Sequence, residues 1–372
     1  MMQKGMLRGN IYDLEAEVIY KGICCYCGAC GAFCVEYINY EDGRPITKEK
    51  CYEIHGACYD FCPRTFFPIL EMDRAIFGGV REDKALGCYN EIVTARTKDK
   101  KIAEKSQDGG IATALLTFAL GKDIIDSAVV SKKSESEAWT PEAIVATTKG
   151  EIISGAGSKY TLSPTLLGVR EAFDKGCEKI AFVGVPCQIQ AMRKIQQSRN
   201  FDVGADRVKL LIGLMCTESF DRDALMKKLS ENGIKIEDVT KFDISKGKFY
   251  AYTKDGEVTM PIKEMKSAMR DGCKVCFDFS AEFADISVGS IGSESGWSTV
   301  IVRTDEGKKL LDGAVKAGVI ETKALSEENV EAVRKLAMRK KTENLDNILG
   351  VVEEVSLLNL VVSGEDLKLL LP

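Results

Sequence analysis

Cys24, Cys27, Cys30 and Cys34 follow one another as C-x2-C-x2-C-x3-C. That spacing presents three thiolates to one [4Fe-4S] cluster and sends the fourth to a second. Cys51, Cys58 and Cys62, the last followed by Pro63, come next and complement it. By the crossing that paired motifs of this kind use, Cys24, Cys27, Cys30 and Cys62 are expected to hold one centre. Cys34, Cys51, Cys58 and one more ligand would hold the other. The register puts His55, the only histidine of the chain, where a further cysteine belongs. Three readings stay open: His55 ligates iron, Cys25 is recruited, or the position is open or filled by a non-protein ligand. A zinc ribbon would need four ligands and leave several of these cysteines idle.

A second thiol set is scattered. The stretch from Gly272 to Trp297 carries Cys273-x2-Cys276 ahead of a short apolar run, Ala284 to Val288, that ends in glycines and serines, among them Gly289, Ser290 and Gly292. A C-x2-C pair alone is produced by structural zinc, by a thiol redox pair and by chance. Glycines after a strand let the backbone approach a cofactor phosphate. Cys187 and Cys216 each follow an apolar run, in Gly184-Val185-Pro186-Cys187 and Gly213-Leu214-Met215-Cys216. Residues at the carboxyl ends of strands in an α/β sheet meet at the crevice where ligands bind. Cys187, Cys216, Cys273 and Cys276 can therefore converge on one centre, a third cluster or a zinc ion. The neighbouring two-cluster segment favours the cluster, because electrons delivered there need an acceptor. Cys88 and Cys177 stand alone and read as buried thiols.

The elements that must position these residues fall into two parts. Residues 1–83 read as a bacterial-type ferredoxin module, with Glu71 to Gly87 as a linker-like stretch around the boundary. From 84 to 340 strand and helix patterns alternate, which predicts an α/β domain. Strands are expected at Ile92–Ala95, Ser127–Val130, Ala143–Thr147, Ile180–Val185, Val208–Leu214, Ile286–Val288 and Thr299–Arg303. Helices are expected at Ile111–Leu120, Leu166–Lys175 and Ile189–Ile195. Ahead of the first of these helices, Ser106, Asp108, Gly109, Gly110 and Thr113 form a loop and helix start whose backbone N–H groups suit a phosphate, with Asp108 as the expected N-cap. The same loop is also what an ordinary capped helix needs. It lacks the G-x-G-x-x-G pattern of a dinucleotide fold. A second polar loop holds Gly157, Ser158, Lys159 and Tyr160, which fit the same ligand or a surface turn. Residues 341–372 form a tail after a charged helix, Glu327 to Lys341; its apolar runs Leu357–Val362 and Leu367–Leu371 would pack back on the core or dock a partner.

The chain has 372 residues, 45% hydrophobic and 29% charged, which is enough for a large core and more than one domain. Its formal net charge of -5 excludes a general nucleic-acid surface. No signal peptide and no run of roughly 20 apolar residues is visible, so the expected location is cytoplasmic, with peripheral docking on a membrane complex left open. Fourteen cysteines in a reducing compartment call for bound metal rather than disulfides.

From Tyr89 to about Lys340 the chain resembles the β subunit of coenzyme F420-reducing hydrogenase and its relatives. The matching segments are Asn90–Arg96, Gln107–Gly110, Lys159–Pro164, Val185–Gln188, Gly272–Cys276, Ala284–Ser287 and Gly296–Ile301. The fused ferredoxin segment resembles instead the F420H2 dehydrogenase input subunit and the amino-terminal half of F420-dependent sulfite reductase. The resemblance implies an α/β domain that binds FAD and one [4Fe-4S] cluster, three clusters in all, with F420 as substrate. It implies Cys187, Cys216, Cys273 and Cys276 as ligands of the inner cluster, and the loops around Asp108 and Gly157 as FAD contacts. Lys159, Arg270 and Lys274 are the expected anchors of the acidic F420 tail. The implied reaction is hydride exchange between F420 and FAD, with single electrons passing through the clusters to a partner such as a hydrogenase, formate dehydrogenase, heterodisulfide reductase, membrane dehydrogenase or sulfite reductase. A free-standing ferredoxin:F420 oxidoreductase and a non-catalytic iron-sulfur adaptor are the alternatives.

Overall fold

A computed structural model describes residues 9–41, 43–355 and 368, with the side chains of 349–355 left aside. The segment 357–362 lies outside the described residues, as does 367–371 apart from Lys368. Thirteen strands occur among the described residues, in three sheets. Ile38–Glu41 (β1) and Arg44–Thr47 (β2) make an antiparallel hairpin. The large sheet uses Glu91–Thr97 (β3), Ser127–Lys133 (β4), Pro141–Ala146 (β5), Ile180–Gly184 (β6) and Val208–Leu214 (β7). A small meander follows in Val239–Ser245 (β8), Lys248–Thr253 (β9) and Gly256–Pro261 (β10). Ile286–Gly289 (β11), Ser298–Val302 (β12) and Ile320–Ala324 (β13) complete the large sheet.

The order across the large sheet is β13-β3-β12-β11-β7-β6-β4-β5. β11, β7, β6 and β4 run parallel, and β12, β13 and β5 run against their neighbours. The central strands read as continuous apolar runs because helices cover both faces. One face packs helix Ile111–Gly121 and helix Asp305–Lys316 over Ala128, Ala181, Ile212 and Val300. The other packs helices Leu167–Asp174 and Pro186–Gln197 over Phe182 and Leu211, and continues into the cysteine-rich N-terminal segment. The carboxyl ends of β3, β4, β6, β7 and β11 all point to one edge, as their pairing requires.

The N-terminal segment is built onto this sheet without a spacer. Gly28, at φ +97°, lies so close to the Pro164 carbonyl that a Cβ would stand 2.6 Å from its oxygen. Leu166 N donates to Cys27 O at 3.0 Å. The expected linker is largely structured: Ile69–Phe77 is a helix ended by left-handed Gly78, and Arg81 beyond it is buried. Its mixed charges had the look of solvated chain, but Asp73 and Arg81 pair with each other inside the protein.

All seven expected strands are present, with ends shifted by at most a few residues. The three expected helices are also present, and helix Pro186–Gln197 starts three residues earlier than expected, at a proline suited to the first turn. The tail helix runs on from Glu327 to Val355, and Ile348 packs into the core.

Candidate functional site

Two cavities are lined by thiols, one where the N-terminal segment meets the carboxyl edge of the sheet and one within the N-terminal segment itself. The first is lined by Cys25, Cys187, Cys216, Cys273 and Cys276, together with Arg64, Arg270 and Lys340. The second is lined by Cys24, Cys25, Cys27, Cys30 and Cys62, with Tyr26 and Tyr40. Among the described residues no three His, Cys, Asp or Glu side chains converge closely enough for a single metal ion.

Each thiol reaches its cavity by a different route. Cys187 occupies the first turn of helix Pro186–Gln197, past the end of β6 rather than at it, and Cys216 stands two residues beyond β7. Gly272 lets the Cys273 loop lie against the first motif, since a Cβ there would meet Cys24 O at 2.6 Å. Asn344 of the long C-terminal helix donates to Cys273 O at 2.9 Å and to Cys276 O at 2.7 Å, closing the loop from outside. Ser219 N donates to Cys273 Sγ at 3.4 Å. Burial pushes the Cys216 thiol up to about 12, because a lone thiolate is poorly solvated there. Burial likewise raises Cys30 to about 12 and Cys62 to about 11. Such thiols ionise readily only when a metal takes the proton's place.

Three cations face these sulfurs, Arg64 and Lys340 buried and Lys194 half-buried. Lys340 donates to Cys216 O at 2.7 Å and to Asp278 O at 2.9 Å. Burial works against its charge but is outweighed by Cys276, Cys216 and Cys273, which raise it above its ordinary value. Lys194 donates to Cys62 O, Thr65 Oγ1 and Phe66 O at 2.8 to 2.9 Å. Arg64 donates through Nη2 to Gly272 O at 2.9 Å, while its Nε and Nη1 are buried and make no hydrogen bond. Sequence reasoning missed all three and Asn344 as well. Arg64 alone carried a local signal, as the second residue after Cys62.

The other expected ligands fall further out. Cys34 and Cys58 are in hydrogen-bonding contact, which draws Cys34 down to about 7. Cys51 is half-buried, with its N–H donated to the Tyr12 hydroxyl at 3.2 Å. His55 Nε2 stands 3.7 Å from Asp60, and its ring meets Phe201 edge-on. Cys25 points away from this group, toward Cys27 and Cys187.

The expected phosphate loops lie at the same edge of the sheet. Asp108 is not the N-cap: helix Ile111–Gly121 starts after left-handed Gly110 and has no side-chain cap. Burial and Asp243 raise the Asp108 carboxyl instead. Ser106 Oγ is turned back to Ile102 O at 2.7 Å, Gly109 N donates to Ser298 Oγ at 3.0 Å, and Thr113 is buried in the first helical turn. Gly157 packs beside Lys105 O, so the two loops adjoin. Ser158 is exposed, and Lys159 bonds to the carbonyls of Gly155 and Ala156. Tyr160, at φ +61°, accepts from Ser219 Oγ at 3.1 Å through its carbonyl, which links this loop to Cys273 through one residue. Gly289 packs on Met215, Ser290 is exposed, and Gly292 at φ +88° lies beside Thr299 in a separate loop. Arg270 reaches Gly43 O at 2.8 Å and covers Tyr26, and Lys274 pairs with Asp271 at 2.6 Å.

A large mixed sheet with a thiol-lined cavity at its carboxyl edge defines an α/β protein with a sulfur-rich site. Its family follows from comparison with known proteins. Residues 177–328 match the C-terminal region, and residues 92–169 the N-terminal region, of the coenzyme F420 hydrogenase/dehydrogenase β subunit. The chain belongs to that family. It is 45% identical over 71% of its length to coenzyme F420 hydrogenase subunit beta of Methanothermobacter thermautotrophicus, covering 95% of that protein. It is 34% identical to an F(420)H(2) dehydrogenase subunit of Methanosarcina mazei, over 92% of this chain and 96% of that one. It also matches coenzyme F420-dependent sulfite reductase of Methanocaldococcus jannaschii at 34% identity, with 87% of this chain covered but only 50% of the relative. Among solved structures, the F420-reducing [NiFe] hydrogenase complex from Methanosarcina barkeri contains a chain of similar fold, with a TM-score of 0.69 and 38% identity over 73% of this chain and 94% of that one.

Proposed function

We propose that this protein is an F420-linked electron-transfer subunit: it exchanges hydride between coenzyme F420 and FAD, and passes electrons singly through [4Fe-4S] centres to a partner redox enzyme or complex. The observation that carries this is the first cavity. In a member of this family, five thiols, three of them on buried cysteines, line a space faced by Lys340 and by an Arg64 guanidinium with two idle donors. Those donors call for an anion, and a cubane ligated by thiolates is one. A cubane also holds its thiolates further apart than a single tetrahedral ion does, which suits sulfurs that line a cavity without converging.

Cys187, Cys216, Cys273 and Cys276 would hold the inner cluster, and Cys24, Cys27, Cys30 and Cys62 the next. Cys34, Cys51 and Cys58 would hold the outermost, with His55 or a ligand from outside as the fourth, since Cys25 is turned elsewhere. Residues 1–83 serve as the ferredoxin-like module and 84–340 as the flavin and inner-cluster domain, with the helix beyond 340 locking the Cys273 loop. The match to the Methanosarcina mazei dehydrogenase protein over 92% of this chain, against 71% for the hydrogenase β subunit, supports reading the N-terminal segment as an added module.

FAD, when bound, supplies the conversion between electron pairs and single electrons. The uncapped start of helix Ile111–Gly121 offers free N–H groups to its pyrophosphate, with Thr113 in the same turn. The adjoining loop of Gly157, Ser158, Lys159 and Tyr160 closes the site and leads through Ser219 to Cys273. The loop of Gly289, Ser290 and Gly292 lines the same edge from β11. Lys159, Arg270 and Lys274 remain the proposed contacts for the acidic F420 tail. No described helix is long and apolar enough to cross a membrane, and a cytoplasmic site of action is proposed.

The test is anaerobic purification, with FAD and iron quantified and F420H2 oxidation followed against a one-electron acceptor. Turnover with one FAD and about twelve irons per chain is expected for three [4Fe-4S] clusters. Bound iron without flavin or F420H2 oxidation refutes the proposal and leaves an adaptor.

A further inference from the structure

Cys25 belongs to neither thiol spacing, yet it is 6% exposed and lines both cavities. Its thiol is within hydrogen-bonding reach of Cys27 on one side and Cys187 on the other. The two centres proposed above therefore approach each other across this one side chain. Each has a full set of four thiolates without it. Left-handed Tyr26, at φ +54°, turns the chain between Cys25 and Cys27, and of Cys24, Cys25 and Cys27 only Cys25 also reaches the first cavity.

Arg64 stands at the same junction. It is 1% exposed and lines the first cavity, and its Nη2 bonds to Gly272 O, on the residue before Cys273. The thiols that most strengthen its charge are Cys276, Cys25 and Cys187. A buried guanidinium with two idle N–H directions is costly unless negative charge lies beside it. The first cavity is thus lined by three cations, Arg64, Arg270 and Lys340, whereas no Lys or Arg lines the second, and Lys194 near it is spent on backbone and hydroxyl oxygens around Cys62. Each electron added to a thiolate-ligated cluster makes it more negative, so a fixed neighbouring cation favours the reduced form.

We propose that Cys25 and Arg64 form the joint between the two centres: Cys25 is a non-ligating thiol that spans the gap, and Arg64 supplies the charge that makes the centre of Cys187, Cys216, Cys273 and Cys276 easier to reduce. The inference rests on the cluster assignment proposed above. The step it describes is one electron leaving one centre and one arriving at the other, with no bond made or broken and no proton moved. Arg64 is a positioning residue in charge, not a catalytic one.

The test uses the whole anaerobically purified chain and a redox titration followed by electron paramagnetic resonance. The signal lost in Cys273→Ser identifies the inner centre; if that variant changes neither spectrum nor iron content, the cluster assignment itself fails, whatever Arg64 does. Cys25→Ala is expected to keep all of its iron, about twelve per chain; loss of about four would make Cys25 a ligand and overturn the inference. In Arg64→Gln the reduced-to-oxidised ratio of the inner centre at the wild-type midpoint is expected to fall about tenfold, a shift of about 59 mV for a one-electron couple. Arg64→Lys, which keeps the charge but not the planar fork, should fall less. An inner midpoint unchanged in Arg64→Gln overturns the inference. Should that variant fail to fold, an unchanged or raised midpoint in Arg64→Lys does the same.

Discussion

Glu282 lies in a charge network that solvent does not reach. It pairs with Arg81 and, at 2.7 Å, with Lys341, the latter an ion pair without hydrogen-bond alignment. Arg81 pairs in turn with Asp73 at 2.7 Å, and all four side chains are at most 1% exposed. Two cations and two anions balance. They join helix Ile69–Phe77, the segment after Cys276 and the long C-terminal helix, which brings Lys340 to the first cavity. Glu282→Gln removes one anion and leaves a net buried positive charge, a change that costs about 3–5 kcal/mol. With a urea dependence of about 3 kcal/mol per molar, the unfolding midpoint should fall by about 1–2 M. Burial raises the Glu282 carboxyl, but Lys341 and Arg81 outweigh it and hold the group below its ordinary 4.5. A depressed acid contributes its stability above the unfolded value and loses it as pH falls through the folded one, so the comparison belongs at pH 7. Lys308→Ala is the control: Lys308 is 41% exposed in its pairs with Glu91 and Asp312, and its loss should cost no more than about 1 kcal/mol. A midpoint for Glu282→Gln no lower than that of Lys308→Ala would refute the reasoning.

Gly28→Ala should loosen the N-terminal segment, because it adds a strained left-handed residue, about 1–2 kcal/mol, to a backbone clash with Pro164; limited proteolysis should cut between the two parts faster than in wild type. Trp139 is 7% exposed and packs on Phe242 with ring centroids 4.4 Å apart, so Trp139→Ala should cost about 3–5 kcal/mol in the β8–β10 lobe, read by hydrogen exchange there. Burial, with Lys133 adding, pulls the Lys159 amine down to about 7 from its ordinary 10.5. Between those values the unfolded chain binds more protons, so stability without ligand should rise with pH, and Lys159→Met should flatten that rise in thermal melts.

What the sequence determined by itself was local. A strand buried on both faces needs only an apolar run, so seven of the eight strands of the large sheet were legible. The β8–β10 meander was legible in principle. Lys246 and Gly247, both at positive φ, form the two-residue turn that pairs Ser245 with Lys248, and the Ser-Lys-Gly-Lys pattern marks it. The start of helix Ile111–Gly121 was misjudged because Asp108 has capping chemistry, but burial beside Asp243 claims it. The charges of Asp73 and Arg81 suggested a linker because local composition does not reveal that Glu282, about 200 residues on, will neutralise one of them. Only the tertiary structure could decide that Arg64 meets Gly272, that Asn344 closes the Cys273 loop, and that Cys25 faces Cys187 rather than Cys58. Those contacts join residues far apart in the chain, and chain packing, not spacing, sets which side chains share a buried volume and which charges must answer one another there.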